Sequence, residues 1–275
     1  MVKSLINGKP SEQVSVHDRG FLYGDGVFET MPAFLGKVMW FDKHYDRLKL
    51  GCNALKIAVP KKEVLIADIE QLLGKQQRAT IKIIITRGTS ARGYKVDPDA
   101  SPTRVVLCSE WNDSLRMKAE TGIRLKLCKT PIGRHPILGS LKHLNRLENV
   151  LARQEWQGDE YDEGLMCDEF GNIVDGIMSN IFICKDKKIK TPRIQLSGIN
   201  GIMRNWVLGL DKSWNIEEIN GMTIDDVVEA DEVFMSNSLI GLWPVKHFND
   251  KHFEIGPIYK KLYKKLEIEY PVLHV

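Results

Sequence analysis

The sequence contains no long apolar run and no marked excess of charge of either sign. No apolar run approaches the ~20 residues that a membrane-spanning helix needs, and the N-terminus, MVKSLINGKPSEQVSV, lacks the apolar core of a signal peptide. The formal charge is +3, with 39 Lys and Arg interleaved among 36 Asp and Glu. We therefore expect neither a membrane span nor an extended basic face for nucleic acid.

Cysteine and histidine are few and scattered. The five cysteines form no CxxC pair, and an odd, unclustered set favours reduced thiols in a cytoplasmic protein over a disulfide framework. The seven histidines also lack the spacing of metal ligands, so we expect no metal site.

The hydrophobic periodicity alternates between strand and helix along the chain. Strands are expected at about 80–86, 104–108 and 123–128, hairpin-like strands over 163–191, and a hairpin turn at Asn7-Gly8. Helices are expected at about 42–55, 62–73, 144–157 and 256–266. The third of these helices should face inward through Leu144, Leu147, Leu151 and Trp156. The pattern predicts a mixed α/β fold with many antiparallel pairings and no regular βαβ winding.

The chain becomes polar between residues 111 and 121, which is where we expect the domain junction. This predicts a small N-terminal α/β domain over residues 1–115, an interdomain linker over 116–121 and a larger C-terminal domain over 122–275.

A glycine-rich segment near the N-terminus, Asp18–Thr30, is the first candidate for chemistry. Gly24-Asp25-Gly26 is not a dinucleotide-binding fingerprint, because the third glycine and the surrounding βαβ unit are absent. No Walker sequence occurs anywhere in the chain. On the residues alone, a tight turn is the favoured explanation of these glycines.

Two further segments carry candidate residues near the middle of the chain. Lys142 lies between an apolar stretch and an amphipathic one, and its neighbours Leu138 and Leu141 are compatible with a desolvated, nucleophilic amine. A solvated surface lysine is the alternative. Gly198–Arg204 is a glycine-rich turn that opens a helix, where free backbone amides can bind phosphate; a plain connection is again the alternative.

Taken in order, these segments resemble the fold-type IV pyridoxal-phosphate family, which includes branched-chain aminotransferases, D-amino-acid transaminases and 4-amino-4-deoxychorismate lyase. The resemblance extends from Leu5-Ile-Asn-Gly8 to the last helix, and its motifs are Asp18–Thr30, Lys142–Glu148, Asp175–Phe182, Gly198–Arg204 and Asp231–Pro244. It implies a small α/β domain beside a larger pseudo-barrel domain, the cofactor pyridoxal 5'-phosphate, a small-molecule substrate and a homodimer.

The resemblance also implies roles for individual residues. Lys142 carries the cofactor as a Schiff base and serves as the general base once it is released. Asp175 faces the pyridine nitrogen at a position where the family usually has glutamate, and Asn180 also lies at the cofactor. The cofactor phosphate is held by four positions: Arg47, the backbone amides of Ile202 and Met203, and Ser238.

Within the family, most of the distinguishing residues favour the lyase. Lys142-His-Leu-Asn-Arg-Leu-Glu148 and Met203 resemble the lyase, and Arg92 is followed by Tyr94 where D-amino-acid transaminases have histidine. Thr30 is linked in the lyase to the departing pyruvate, whereas Glu29 is common in transaminases. The implied reaction converts 4-amino-4-deoxychorismate to 4-aminobenzoate and pyruvate, for folate synthesis, with Arg92 and Tyr94 binding a carboxylate.

Two alternatives remain open at this point. A D-amino-acid or branched-chain transaminase of the same fold would need an amino donor. A non-enzymatic scaffold would have lost the cofactor chemistry, yet Lys142, Arg47 and Asp175 are all present.

Overall fold

The computed structural model describes residues 3–271, which divide into two compact units. Unit 1 comprises residues 3–112 and 141–145, and unit 2 comprises residues 113–140 and 146–271. The expected linker over 116–121 is instead part of a helix of unit 2, α4 (Ser114–Thr121). Trp243 Nε1 donates to the Leu115 carbonyl at 2.8 Å and the Tyr259 hydroxyl to the Ala119 carbonyl at 2.7 Å, which fixes this helix to unit 2.

Unit 1 is built on a six-stranded antiparallel sheet. Its strands are β1 (Lys3–Ile6), β2 (Lys9–Pro10), β3 (Gly26–Phe34), β4 (Lys37–Val38), β5 (Arg78–Thr86) and β6 (Thr103–Glu110), in the order β2-β1-β6-β5-β3-β4. The predicted Asn7-Gly8 turn is confirmed. Both of its residues have positive φ, at 52° and 81°, as a two-residue hairpin with the favoured twist requires.

Three helices belong to unit 1: α1 (Arg19–Tyr23), α2 (Phe41–Ala54) and α3 (Lys62–Leu73). The predictions of α2 and α3 are therefore confirmed to within a residue or two. The buried side chains of α2 and α3 pack against alternate residues of the strands, among them Met31, Ile81 and Ile83. Each such side chain contributes roughly 1.5–3 kcal/mol on burial. Because strand residues alternate between faces, the opposite face of the sheet carries Phe28, Thr30 and Lys82.

Unit 2 contains a nine-stranded mixed sheet. Its strands are β7 (Ile123–Leu127), β8 (Glu163–Cys167), β9 (Ile173–Gly176), β10 (Asn180–Lys185), β11 (Lys188–Pro192), β12 (Ile216–Ile219), β13 (Glu232–Asn237), β14 (Gly241–Phe248) and β15 (Lys251–His252). The order is β12-β11-β10-β13-β14-β7-β8-β9, with β15 paired to β14. Edge strand β9 lies close to β10 and β11, so the sheet curls into a partial barrel around a core that includes Ile123, Leu165 and Ile181.

The remaining helices of unit 2 are α5 (Leu147–Arg153), α6 (Ile202–Leu208), α7 (Ile224–Val228) and α8 (Pro257–Glu269), with a 3₁₀ turn at Lys212–Trp214. The apolar stripe of α8, formed by Tyr259, Leu262 and Leu266, is buried. Of the helices within residues 3–271, none is long and apolar enough to cross a bilayer. The mixed α/β class predicted from periodicity is confirmed.

The helix expected over 144–157 is shorter than predicted, and two of its residues point the other way. It begins at Leu147, which is 76% exposed, and Leu151 is 54% exposed, so the prediction that both face inward is wrong; Trp156 is buried as expected. The cause lies just upstream. The Leu144 amide donates to the Gly26 carbonyl at 3.0 Å, which holds residues 142–144 extended beside β3 and prevents an earlier helical turn.

The buried carboxylate of Glu232 gives a test of this fold. It accepts the amides of Ile258 at 2.9 Å and Tyr259 at 2.7 Å in the first turn of α8. We expect Glu232→Ala to lower the free energy of unfolding by about 1–3 kcal/mol, because two buried amides lose a charged acceptor. Urea unfolding measures this, with Glu254→Ala, whose side chain is 89% exposed, as the control. Equal stabilities of the two variants would contradict the role of Glu232.

Candidate active site

Lys142 lies on a short extended segment that unit 1 holds along the edge of β3. The Phe28 amide donates to the Lys142 carbonyl at 3.0 Å, the Leu144 amide donates to the Gly26 carbonyl at 3.0 Å, and His143 bridges to Val27. The backbone on both sides of the lysine is therefore fixed by hydrogen bonds of the strand type.

The side chain of Lys142 lies against an aromatic ring. Its Nζ is 4.3 Å from the centroid of the Phe28 ring, and its neighbour Leu141 is buried. The sequence predicted an apolar environment from Leu138 and Leu141 but gave no indication of Phe28, because that contact joins residues more than a hundred positions apart.

A second lysine, Lys82, contacts the same ring and was missed by the sequence analysis. Its Nζ is 5.1 Å from the Phe28 centroid, and it is the cross-strand partner of Thr30. The signal was present, since Lys82 interrupts the run of isoleucines in strand β5. The face of the sheet that bears Phe28 thus also carries the predicted residue Thr30 and a second amine.

The other face of β3 carries a buried ionic cluster built on Glu29. Arg47 on α2 donates from Nε to Glu29 Oε1 at 2.8 Å and from Nη2 to Oε2 at 2.6 Å. His44, one helical turn earlier, contacts Oε2 through Nδ1 at 2.6 Å. This bidentate pairing fixes the plane of the guanidinium of Arg47, the residue predicted to hold phosphate.

The protonation states in this cluster follow from its surroundings. Burial opposes ionisation of Glu29, but Arg47 and His44 outweigh it and hold the pKa of Glu29 at about 2. Burial lowers the pKa of His44, with Arg47 and Lys142 adding to that effect, although Glu29 opposes it. The ring of His44 is therefore neutral at neutral pH and donates its Nδ1 proton to the carboxylate.

The predicted substrate residues Arg92 and Tyr94 lie on an exposed loop of unit 1. Tyr94 is 85% exposed, and its ring centroid is 5.4 Å from that of Tyr23 in α1. Both side chains are thus available to a ligand in the described structure.

In unit 2, Asp175 lies buried near the end of β9 and faces a glycine. Its Oδ2 accepts the amide of Ile199 at 2.9 Å. A Cβ on Gly198, whose φ is +82°, would come within 3.0 Å of the same oxygen. The glycine therefore allows the backbone to approach this carboxylate closely.

The first turn of α6 forms the other part of the unit 2 site. Helix α6 begins after Gly201 with no side-chain cap on its first amides, which belong to the predicted residues Ile202 and Met203. Asn180 Nδ2 donates to the Ile199 carbonyl at 2.8 Å, and a Cβ on Gly201 would come within 2.0 Å of Asn180 Oδ1. Asn180 thus holds the loop that leads into the helix.

Two buried serines of β13 and its following turn add hydroxyl groups to unit 2. Ser238 is one of the predicted phosphate residues, and Ser236 is the cross-strand partner of Asn180. Within residues 3–271, the Oγ of Ser236 has no hydrogen-bond partner. A buried hydroxyl of this kind needs an acceptor or donor from a ligand or water.

The donors of unit 2 fit the chemistry of pyridoxal 5'-phosphate. Uncapped helix amides and serine hydroxyls suit a phosphate, and a buried carboxylate suits a protonated pyridine nitrogen. The glycines at 198 and 201 leave a cradle that a Cβ would fill.

Two more unit 2 residues belong to this region and were not assigned from the sequence. Arg146 is half-buried; burial lowers its pKa, while the carboxylates of Asp175 and Glu148 oppose that shift. Glu163 is buried and accepts the Ser179 hydroxyl at 2.7 Å and the amides of Gly164 and Met178. It therefore fixes the turn that separates Asp175 from Asn180.

The chain matches proteins of known family over nearly its whole length. The family model for amino-transferase class IV matches residues 26–248. An aminodeoxychorismate lyase of Vibrio harveyi is 34% identical over 94% of this chain and 97% of its own length. A putative branched-chain-amino-acid aminotransferase of Methanocaldococcus jannaschii is 31% identical over 97% and 96%. The crystal structure of 4-amino-4-deoxychorismate lyase from Pseudomonas aeruginosa superposes with a TM-score of 0.91 at 33% identity, covering 97% of this chain and 98% of that chain.

The Glu29 cluster predicts a pH dependence of stability. The pKa of Glu29 is about 2 in the folded protein against an ordinary 4.5, so its ionised form stabilises the fold above pH ~4.5 and loses that effect as the pH falls toward 2. We expect Glu29→Gln to be less stable than the wild type at pH 7 and the difference to shrink by pH 3. Urea unfolding at both pH values measures this, with the exposed Glu70→Gln as control. A difference that is the same at pH 7 and pH 3 would contradict the assignment.

Proposed function

The chain belongs to the amino-transferase class IV family, and on that premise we propose that it is a pyridoxal-phosphate-dependent lyase. It converts 4-amino-4-deoxychorismate to 4-aminobenzoate and pyruvate. The observation that carries this proposal is the full-length agreement, at about one third identity, with lyases from two organisms. The product serves folate synthesis.

The cofactor is pyridoxal 5'-phosphate, which, when bound through Lys142, supplies a ring that accepts the electron pair released as the substrate loses a proton. Asp175 would keep the ring nitrogen of the bound cofactor protonated. The phosphate would be held by Arg47, the amides of Ile202 and Met203, and Ser238. The Ile199 amide on Asp175 and the Asn180 bond to the adjacent carbonyl fix these groups in place.

Lys142 acts a second time as the base. Its Nζ would remove the proton from the substrate ring carbon that bears the amine. The strand-type hydrogen bonds on either side of the lysine restrict its backbone, so only the side chain moves between these two tasks. The enolpyruvyl ether then breaks, and the aromatic product forms.

Residues of unit 1 bind the substrate. Thr30 or Lys142 protonates the departing enol, which leaves as pyruvate. The substrate carries two carboxylates, and Arg92 with Tyr94 binds one of them. Lys82 binds the other carboxylate. Two observations support this role: Lys82 contacts the same Phe28 ring as Lys142, and it pairs with Thr30 across the sheet.

A D-amino-acid or branched-chain transaminase of the same fold is the second candidate, and the relative from M. jannaschii favours it. It differs in needing an amino donor such as D-alanine or leucine with 2-oxoglutarate. The two reactions use the same lysine, so the product decides between them.

We expect the purified enzyme with its cofactor to form 4-aminobenzoate from 4-amino-4-deoxychorismate and to give no measurable 2-oxoglutarate-dependent transfer from D-alanine or leucine. Lys142→Ala should lose at least about 10³-fold in rate, because both the covalent attachment and the base are removed. Product fluorescence measures the first reaction, and glutamate formation measures the second.

Lys129→Ala, which changes an exposed lysine of unit 2, is the control and should retain full activity. Transfer from either amino donor without any 4-aminobenzoate would overturn the lyase in favour of the transaminase.

We further propose that the protein acts as a homodimer in the cytoplasm. Support for a partner copy comes from apolar residues exposed on one face of α5, namely Leu147, Val150 and Leu151, since exposed apolar faces of this kind commonly pack against another chain. Support for the compartment comes from the five cysteines, all of which are free thiols.

Light scattering after size exclusion tests the dimer. We expect the wild type to elute as a dimer and Leu147→Glu/Leu151→Glu to shift toward the monomer, because two charges would be buried in the contact. Ile268→Glu on α8, at a residue that is 72% exposed, should remain a dimer. A double variant that stays dimeric would remove α5 from the interface.

A further inference from the structure

A cluster of two buried arginines around the partly buried Asp25 joins the glycine-rich segment near the N-terminus to the loop that carries Arg92. Asp25 Oδ2 accepts Arg19 Nε at 3.0 Å and Arg87 Nε at 2.7 Å, and Oδ1 accepts Arg87 Nη2 at 2.9 Å. Both arginines are buried, Arg19 with only 4% of its surface exposed. Removing these three charges from water costs desolvation free energy unless they form ion pairs with one another.

The two arginines extend from Asp25 to different parts of unit 1. Arg87 donates to the carbonyls of Leu55 at 2.6 Å and Lys56 at 2.9 Å, just after α2. Burial opposes ionisation of Asp25, yet the hydrogen bonds and charges of Arg87 and Arg19 lower its pKa below the ordinary value. Asp25 is therefore a fixed negative charge, anchored on the α2 side through Arg87.

Arg19 connects that fixed charge to the loop over residues 88–94. Its Nη1 donates to the Gly93 carbonyl at 2.8 Å and to the Ser90 hydroxyl at 3.2 Å. Gly93 stands between Arg92 and Tyr94 and has a φ of +97°. The charged donor thus holds the Gly93–Tyr94 peptide group, which lies between the two side chains proposed to bind a carboxylate.

Arg19 is also linked to Tyr94 through the ring of Tyr23, which is tilted by 50° against the ring of Tyr94. Its guanidinium carbon is 4.9 Å from the centroid of the Tyr23 ring, and Tyr23 is 5.4 Å from Tyr94. Arg19 itself is buried and Tyr94 exposed, so the arginine stays beneath the loop rather than facing a ligand.

We propose that Arg19 is a positioning residue for substrate binding: fixed by Asp25, it holds Gly93 and Tyr23 so that Arg92 and Tyr94 are preorganised to bind a substrate carboxylate. This inference rests on the proposed function of Arg92 and Tyr94. It gives the Asp18–Thr30 segment a role in selecting the substrate in addition to forming a turn.

Arg19→Met tests the proposal in the holoenzyme. It leaves Asp25 paired with Arg87 and removes the side-chain bonds to Ser90 and Gly93, while the backbone bond from residue 19 to the Gly88 carbonyl remains. We expect KM for 4-amino-4-deoxychorismate to rise about tenfold to hundredfold, as for the loss of a charged hydrogen bond, while kcat and the absorbance of the bound cofactor stay within about twofold. Hydrogen exchange should become faster in residues 88–94 and stay unchanged in β3.

Two further variants separate positioning from general effects of charge or folding. Lys95→Met removes a positive charge from an exposed position next to the loop and should leave KM unchanged. Arg19→Lys keeps the charge but lacks the fork that reaches both Asp25 and Gly93, so it should restore KM only in part.

An unchanged KM with unchanged loop exchange in Arg19→Met would overturn the proposal. So would a fall in kcat at constant KM together with loss of thermal stability, which marks a purely structural role. If the wild type makes no 4-aminobenzoate, the proposed lyase fails separately. The positioning role of Arg19 is then tested by hydrogen exchange in residues 88–94 and by KM for the amino donor that the wild type uses.

Discussion

The arrangement depends first on the hydrogen bonds that hold residues 142–144 against the edge of β3. They join the Phe28 amide to the Lys142 carbonyl and the Leu144 amide to the Gly26 carbonyl. The chain enters unit 1 at Leu141 and returns to unit 2 at Arg146, so this short pairing sets where the lysine stands. It places the Nζ against the Phe28 ring and delays the start of α5 to Leu147.

The two faces of β3 carry different groups of side chains. Phe28 and Thr30 share one face with Lys82, whereas Glu29 on the other face pairs with His44 and Arg47 of α2. Strand alternation therefore places Phe28 and Thr30 on one face of β3 and the ionic cluster that fixes Arg47 on the other. Arg19 is arranged in a similar way. It lies buried beneath the exposed loop over residues 88–94 and connects that loop to the carboxylate of Asp25. In both places, a buried charge restrains a residue that we propose contacts a ligand.

Much of this could be predicted from the sequence, and the failures have a common cause. Helix α3 and the Asn7-Gly8 turn follow from local periodicity and turn chemistry, and the family motifs name Lys142 and Asp175. The start of α5 could not be predicted, because a pairing with β3 more than a hundred residues away overrides the local helical pattern. Lys82 and Arg19 were missed for the same reason: the role that we propose for each depends on contacts that only the tertiary structure creates.

The proposed mechanism depends on attachment of the cofactor to Lys142. Reduction of the holoenzyme with borohydride, followed by proteolysis and mass spectrometry, tests it most directly, because the reduced linkage permanently marks the attached residue. We expect the phosphopyridoxyl group on the peptide that contains Lys142 and not on the peptide that contains Lys82, although both amines contact the Phe28 ring. A label on Lys82, or no label on Lys142, would contradict it.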